Sequence, residues 1–393
     1  MLPLKRLCQI FFLFLLSIRS LFAYGYADFN SYQHHFTKDY IEKKIHLFLK
    51  VHSEVENYYQ ISDNHFSVYA SLNDKQSNKA EFTLKLKTPD SPKVTPNNSV
   101  KKRPIKIAID PGHFGGMLAR LEERYIPVSE TNKKVLFDEG TLTLLTALYL
   151  KDLLCEKGYE VMLTRDEIAK GVYEKDFHSW LDEHKEEAFE NLALSQIFRR
   201  YYNRLDLLAR AEKINQFNPD LTLIIHYNAH DEKNSNSFYT SKNFNLVFIP
   251  GAFSRLELKT KRDRYEFVRL LLTDHIEKSL SLSQHIVKEL TDHTQLPLQD
   301  YDSAFGYITN CSIRIDKGIF CRNLGLTRLI HSPLCYGETL IQNNKEEIER
   351  LKNKDTTIHG IGCSSRIKQI ATAYYKGINR YLTTMQVMSE KNQ

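Results

Sequence analysis

Two histidines stand directly after predicted strands, at positions suited to binding a metal ion. Residues 105–109 are apolar at alternate positions and run into an Asp-Pro-Gly turn, which His113 follows. This pattern predicts a buried strand that stops at the turn. A second apolar run, residues 221–225, leads directly into His226. Because ligands bind beyond the carboxyl ends of the strands in an open α/β sheet, we expect both imidazoles at one such edge.

Two glutamates complete a set of residues that is typical of hydrolytic zinc enzymes. Catalytic zinc sites use three protein ligands drawn from His and carboxylate, and they keep a fourth position for water. Glu139 begins a predicted helix, where the helix dipole favours a carboxylate, and it is the candidate third ligand. Glu338, in a predicted turn after the last strand, is the candidate general base. The alternatives are a simple helix-terminal charge for Glu139 and a solvated loop carboxylate for Glu338.

Three further residues are weaker candidates for this site. His230 would act as a ligand together with His226 only on a helix, so after a strand we expect it to be exposed. His331 fits a structural role, and Asp110 is expected to shape the turn before His113.

The predicted elements around these residues form an α/β domain. The helix from Glu139 carries a leucine stripe and ends at Gly158, and a strand over 159–164 follows. This β-α-β unit is expected to be parallel and right-handed. The charged segment 167–200 predicts helices outside the main sheet. Further predictions are helices over 204–215, 281–292 and 367–382 and strands over 245–249 and 327–330.

The chain before the first histidine divides into three parts. Residues 1–27 combine a basic start, a short apolar run and small residues, which predicts a secretory signal. The apolar run is well short of the ~20 residues that span a bilayer, although Arg19 leaves an uncleaved anchor as the alternative. Residues 28–87 predict a small α+β region with a helix within 40–59 and two strands. Residues 88–104, rich in Pro, Ser, Asn and Lys, predict a linker before a catalytic domain over 105–385.

Composition excludes several other classes of protein. The net charge of +6 is a mild basic excess, and charges of both signs are spread along the chain. No nucleic-acid-binding motif is present, so we predict no nucleic-acid partner. No later apolar run predicts a membrane span, so we expect no stable span once the signal is cleaved. The six cysteines include no CxxC pair, which argues against a zinc knuckle.

Four motifs together resemble the zinc-dependent N-acetylmuramoyl-L-alanine amidases of the type-3 family. The first, IDPGHFGG at 109–116, resembles the family's IDPGHGG. The second, Glu139 with its leucine-rich helix followed by GYEVMLTR at 158–165, resembles the family's segment E...L...L...G-x-x-V-x-x-TR. The third, RAEKIN at 210–215 followed by PDLTLIIHYNA at 219–229, resembles R-x-x-x-AN and ADLFISIHANA. The fourth, RNLGL at 322–326 followed by PLCYGE at 333–338, resembles RNLGVLR and PAVLVE.

The resemblance implies a fold, a metal and a reaction. The fold would be a mixed, mostly parallel sheet wrapped by helices, preceded here by the small α+β region. Zinc would be held by His113, Glu139 and His226, and Glu338 would be the catalytic carboxylate. The enzyme would hydrolyse the amide between N-acetylmuramic acid and L-alanine of peptidoglycan, in cell-wall remodelling and daughter-cell separation. The predicted export fits this substrate and points to the periplasm or cell envelope.

The chain departs from the family pattern in ways that carry further expectations. Phe114 replaces the glycine that usually follows the histidine, and we expect it to narrow the mouth of the cleft. Segments 117–138, 167–203 and 231–280 look longer than in a minimal member. Some members place a regulatory helix over the zinc cleft, and the basic, amphipathic residues 255–278 are the candidate here. An activator protein would then relieve that helix; the alternative is a plain surface helix.

Two other functions remain open from the sequence. The chain could be a catalytically inactive peptidoglycan-binding or scaffolding protein that retains the amidase fold. The complete set of two histidines and two glutamates argues against that alternative, because a binding module needs no such set. The same zinc chemistry on a different amide is the third hypothesis, since the longer segments reshape the cleft.

Overall fold

The computed structural model describes residues 25–89, 91, 103–129, 131–184, 189, 191–230, 238–300 and 306–391. Within these ranges, no helix is both long enough and apolar enough to cross a membrane. The predicted signal lies outside the described residues except for 25–27. Of the predicted linker, the described residues are 88, 89, 91, 103 and 104.

The N-terminal region is a small α+β unit built on a three-stranded antiparallel sheet. The expected helix within 40–59 is interrupted, since helix α1 (Lys38–Lys44) continues into a π-helical turn at Ile45–Leu49 and a separate 3-10 turn follows at Ser53–Tyr58. The regular elements are α1 (Lys38–Lys44), β1 (Tyr59–Ile61), β2 (His65–Val68), α2 (Leu72–Gln76) and β3 (Phe82–Lys85).

The larger part of the chain is organised on a seven-stranded sheet. The strands after the N-terminal region are β4 (Lys106–Pro111), β5 (Tyr125–Pro127), β6 (Val135–Asp138), β7 (Glu160–Leu163), β8 (Leu221–Asn228), β9 (Leu246–Ile249), β10 (Ser312–Asp316), β11 (Ile319–Arg322), β12 (Leu334–Ile341), β13 (Thr356–Ile358) and β14 (Ile361–Cys363). Four of these strands form two separate antiparallel pairs, β5 with β6 and β13 with β14. The strand order in the large sheet is β10-β11-β9-β12-β8-β4-β7, and β12, β8, β4 and β7 run parallel to one another. This confirms the predicted mixed, mostly parallel sheet.

Helices cover both faces of the sheet. The helices are α3 (Ala119–Glu122), α4 (Glu139–Glu156), α5 (Phe177–Glu183), α6 (Leu194–Ile197), α7 (Asn203–Phe217), α8 (Lys261–Leu272), α9 (His275–Thr294), α10 (Gly306–Cys311), α11 (Gly325–Leu329), α12 (Lys345–Leu351) and α13 (Ser365–Lys391). Helices α4, α9 and α13 pack on one face, where alternate residues of β4 and β8 join the main apolar core. Helices α7 and α11 pack on the other face. His226 of β8 and Tyr336 of β12 lie on this second face, beside residues of α7 and α11.

The sequence prediction for residues 327–330 was wrong. The expected strand is the helix α11, and the last strand of the large sheet begins later, at Leu334. The hydroxyl of Thr327 accepts a hydrogen bond from the backbone N–H of Leu324 at 2.9 Å, which closes the first turn of α11. Leu326, Leu329 and Ile330 are buried at helical spacing. A short apolar run of this kind does not distinguish a strand from a buried helix by periodicity alone.

The N-terminal region packs on α8 and α9 of the larger part. Buried Lys44 donates to the carbonyl of Thr273 at 2.6 Å and pairs with Glu277. Arg264 of α8 forms two hydrogen bonds with the carboxylate of Glu81, at 2.8 and 2.7 Å. Buried apolar residues of both parts belong to one core cluster, so the N-terminal region shares its core with the larger part.

Candidate metal centre

His113 sits in a tight turn that ends strand β4. Its backbone has φ of +59°, in the left-handed region that non-glycine residues rarely adopt. The residue before it, Gly112, closely approaches the ring of His226. A Cβ atom on Gly112 would lie 2.3 Å from that ring, so glycine is required for the two chain segments to meet.

Glu139 brings its carboxylate between the two histidines. It is the first residue of α4, and the helix is capped by Asp138, whose side chain accepts from the N–H of Thr141 at 2.8 Å. One oxygen of Glu139 lies 3.2 Å from His113 Nε2 and 3.0 Å from His226 Nδ1. One ligand atom from each of the three residues lies within 4.8 Å of the others. Two imidazoles and one carboxylate so arranged are a donor set that fits a zinc ion.

Buried groups fix the orientation of Glu139. Its carboxylate accepts hydrogen bonds from the backbone N–H of Tyr227 at 3.2 Å and from Gln342 Nε2 at 3.1 Å. Burial alone would raise the pKa of Glu139, but the neighbouring imidazoles of His113 and His226 hold the pKa well below its usual range. The carboxylate is therefore ionised, which is the form that binds a metal ion.

The two imidazoles differ in their electrostatic surroundings. Burial lowers the pKa of His226, which favours the neutral ring that metals bind. Burial also acts to lower the pKa of His113, but the carboxylates of Glu139 and Glu122 outweigh it and raise the value to about 9. A metal ion entering this site would therefore displace a proton from His113.

Two buried arginines hold the backbone of the His113 turn. Arg165 donates to the carbonyl oxygens of Pro111 and Gly112, at 3.1 and 3.0 Å. Arg210 donates to the carbonyls of Pro111 and His113, at 2.7 and 3.2 Å. The carboxylate of Asp206, 2.6 Å away, pairs with Arg210. These donors satisfy carbonyl groups that a turn inside the protein would otherwise leave without partners.

Glu338 lies next to this cluster, within strand β12. Its paired position on β8 is His226, and the sheet register therefore places the two residues side by side. Burial and the nearby charge of Glu139 raise the pKa of Glu338 to about 8. The ring of Tyr336 stacks on the imidazole of His226 with centroids 4.7 Å apart. The predicted turn was wrong, because Glu338 is held by the sheet.

A cavity opens beside the two histidines on this face of the sheet. Tyr336 and Asp110 contribute to its walls from the strands, and Asn203 and Leu207 of α7 and residues 324–326 near α11 also line it. Both histidines border this cavity.

Comparison with known proteins identifies the family. A family model described as N-acetylmuramoyl-L-alanine amidase (Amidase_3) matches residues 107–380. The chain belongs to this amidase family. It hydrolyses the amide bond between N-acetylmuramic acid and L-alanine in peptidoglycan, and it therefore acts outside the cytoplasm.

Solved amidase structures match the same part of the chain. The CwlD amidase from Clostridioides difficile, solved in complex with the GerS lipoprotein, is 19% identical, with a TM-score of 0.43 over 71% of this chain and 99% of that one. The catalytic domain of CwlV from Bacillus (Paenibacillus) polymyxa is 16% identical, with a TM-score of 0.40 over 71% and 98%. The apo form of Ami1 from Mycobacterium abscessus is 16% identical, with a TM-score of 0.40 over 71% of this chain and 98% of that one. No curated protein matches the chain.

The other sequence candidates are not among the three residues whose ligand atoms converge. His230 was expected to be exposed but is buried, with its N–H donating to Asn343 Oδ1 at 2.9 Å. His331 contacts Glu266 at 3.0 Å, which agrees with a structural role. Asp110 is buried and accepts from Arg210 at 3.2 Å, so it helps to hold the turn.

Phe114 does not narrow the cleft, contrary to the sequence expectation. Its side chain is fully buried in an aromatic cluster with Phe177, Phe198 and Tyr202 of the inserted segment, and the guanidinium of Arg210 lies 5.5 Å from its ring. The inserted segment is therefore anchored beside the His113 turn by the residue that replaces the family's glycine.

Residues 255–278 also differ from the sequence expectation. Helix α8 is largely buried and packs against the N-terminal region through Arg264, Tyr265 and Phe267. None of the described cavity-lining residues belongs to 255–278. In this structure the segment joins two parts of the molecule and does not cover the cluster.

Two residues of the centre were missed by sequence reasoning. Glu122 contacts His113, and Gln342 contacts Glu139. Glu122 lies in a charged segment without periodicity, and Gln342 follows the last predicted motif, so neither carried a signal beyond its residue type.

Proposed function

We propose that the amidase is a zinc enzyme in which His113, Glu139 and His226 bind the metal and Glu338 is the general base. The observation that supports this most directly is the convergence of one atom from each candidate ligand within 4.8 Å, although the three residues come from three separate elements. Each ligand is also oriented by a further contact, from Glu122, Gln342 or Tyr336. Catalytic metal sites characteristically fix their ligands in this way.

Zinc suits this donor set better than the other common metals. Two imidazoles and one carboxylate are typical of zinc hydrolases, whereas calcium and magnesium prefer sites made of oxygen atoms. When bound, zinc would supply Lewis acidity to the amide carbonyl and lower the pKa of the attacking water.

The chain's own residues would then move the proton. Glu338 is next to His226 and its pKa is raised to about 8 by burial and by Glu139. A carboxyl group whose pKa lies near neutrality is better suited both to take a proton from the attacking water and to return it to the leaving nitrogen than an ordinary surface carboxylate. Tyr336 would hold the ring of His226 in one orientation during this transfer.

The cellular setting is part of the same proposal. Residues 1–27 would be a signal peptide that delivers the enzyme to the periplasm or cell envelope, and 88–104 would link the N-terminal region, 28–87, to the catalytic domain, 105–385. The enzyme would serve cell-wall remodelling and daughter-cell separation. An activator protein is a further proposal; since 255–278 packs against the N-terminal region, it would have to act elsewhere or displace that packing.

The decisive experiment combines metal analysis with product analysis on the purified chain. We expect one zinc per chain and release of stem peptides with a free L-alanine amine from peptidoglycan, abolished by a chelator and restored by zinc. His226→Ala should lose zinc and activity together, whereas His35→Ala, at an exposed position, should lose neither. Cleavage that survives complete removal of metal would overturn the proposal.

A further inference from the structure

We propose that Glu122 is a positioning residue for His113, supplied by the long segment between the two candidate ligands His113 and Glu139. The inference rests on the proposed zinc site. It assigns a role to a residue of segment 117–138, which looked longer than in a minimal member of the family.

The two carboxylates near His113 contact opposite sides of its ring. Glu122 Oε1 lies 3.0 Å from His113 Nδ1, while Glu139 Oε1 lies 3.2 Å from Nε2. With Nδ1–H donating to Glu122, Nε2 faces Glu139 and His226, where the metal would bind. Glu122 is itself outside the group of three candidate ligands. Its carboxylate therefore orients a ligand and does not serve as one.

Glu122 also holds the backbone of the histidine. Its second oxygen accepts the N–H of Phe114 at 2.8 Å, so one carboxylate bridges the side chain of His113 and the next peptide group. This matters because His113 has φ of +59°, a conformation that needs support from its surroundings. On the other side, Arg210 donates to the carbonyl of His113 at 3.2 Å. The turn is thus held from both sides.

Packing of the neighbouring residues fixes the position of Glu122. Glu122 ends the short helix α3, and Leu118, just before that helix, packs in the aromatic cluster that contains Phe114. The side chain of Glu122 is only 2% exposed. Burying an ionised carboxylate is costly unless it is paired and hydrogen-bonded, and both of its oxygens have partners here.

A carboxylate that accepts from the outer nitrogen of a ligand histidine does two things for a metal site. It fixes the ring orientation and tautomer, and it makes the inner nitrogen a stronger donor; losing such a partner typically costs about 10–100-fold in metal affinity. Glu122→Gln has nearly the same shape but is uncharged, and its amide oxygen can accept only one of the two N–H groups that Glu122 serves, while its NH2 group faces the other.

The test compares Glu122→Gln with Glu123→Gln. Glu123 is the neighbouring residue, with an exposed side chain that pairs with Arg199 at 2.7 Å. We expect chelator competition to give a zinc Kd about 10–100-fold weaker for Glu122→Gln, and a Kd within twofold of the unmodified protein for Glu123→Gln. An unchanged Kd in Glu122→Gln would overturn the inference while leaving the zinc proposal intact.

A second measurement covers the case in which Glu122→Gln does not fold. NMR of the unmodified protein with ¹⁵N-labelled histidine should show a hydrogen-bonded Nδ1–H on His113, slow to exchange with water, both with and without zinc. An Nδ1 that carries no protected proton would refute the role of Glu122. If the unmodified protein binds no zinc, the proposed function fails, and the metal-free spectrum still tests this contact.

Discussion

Glu338 and His226 are paired positions on the neighbouring parallel strands β12 and β8. Neighbouring strands are about 4.8 Å apart, and paired side chains point to the same face. The candidate base and a candidate ligand both lie on strands, so the backbone hydrogen bonds of the sheet fix their relative positions. A slip of one residue would move Glu338 to the opposite face of the sheet. The sheet register is thus part of the catalytic geometry.

Glu338→Gln should keep the metal and lose turnover. The amide has nearly the same shape as the carboxylate but cannot take a proton from water, so kcat should fall by about 10²–10⁴-fold. Zinc content should be unchanged, because Glu338 is not one of the three clustered ligands. The matched control is Glu346→Gln, whose side chain is 81% exposed. Near-normal turnover in Glu338→Gln would show that another group is the base.

The sequence placed His113 correctly, just past β4, but His226 lies inside β8 and Glu338 inside β12, where the sequence predicted a strand end and a turn. Gly337, the residue before Glu338, favours a turn by its type, but it stands inside β12, where glycine is required because the hydroxyl of Tyr374 occupies the space of a side chain. A Cβ atom on Gly337 would lie 1.9 Å from that oxygen. A glycine required by a tertiary contact has the same sequence signature as one required by a turn, so the sequence could not separate the two causes.

Gly112→Ala should weaken metal binding without unfolding the protein. The new methyl group would overlap the imidazole of His226 at 2.3 Å and force that ring away from Glu139. Since a misplacement of about 1 Å can cost 10²-fold in rate, we expect a loss of activity of about that size together with weaker zinc binding. Gly362→Ala is the control, because its nearest contacts are ordinary, at 3.7 Å or more. Equal zinc affinity in the two variants would contradict this account of the close approach.

The contacts that orient the ligands could not be predicted from the sequence. Gln342 meets Glu139 across 203 positions of the chain, and the link exists only once β12 lies beside β8. Periodicity reports which face of an element is apolar, not which polar residue of another element meets it. The motifs therefore gave the candidate ligands, while the residues that orient them required the structure.

Phe114→Ala should destabilise the protein rather than widen the cleft. The phenylalanine ring is fully buried among aromatic residues of the inserted segment, and removing such a ring typically costs about 3–5 kcal/mol. We expect the free energy of unfolding, measured by denaturant titration, to fall by about that amount. Met117→Ala, at a residue that is 81% exposed, should change it by about 0.5 kcal/mol or less. An improved KM with unchanged stability would instead place Phe114 at the cleft mouth.

Arg264→Ala should lower stability and should not activate the enzyme. The guanidinium joins α8 to the N-terminal region through its two hydrogen bonds with Glu81. Because the Glu81 side chain keeps 22% of its exposure, we expect a loss of about 1–3 kcal/mol, less than for a fully buried pair. Lys259→Ala, at a nearby exposed position, is the control. A rise in peptidoglycan cleavage by Arg264→Ala, with thermal stability unchanged, would restore the regulatory interpretation of residues 255–278. A fall in stability with no gain in cleavage would show that α8 connects the N-terminal region to the larger part, as its contacts indicate.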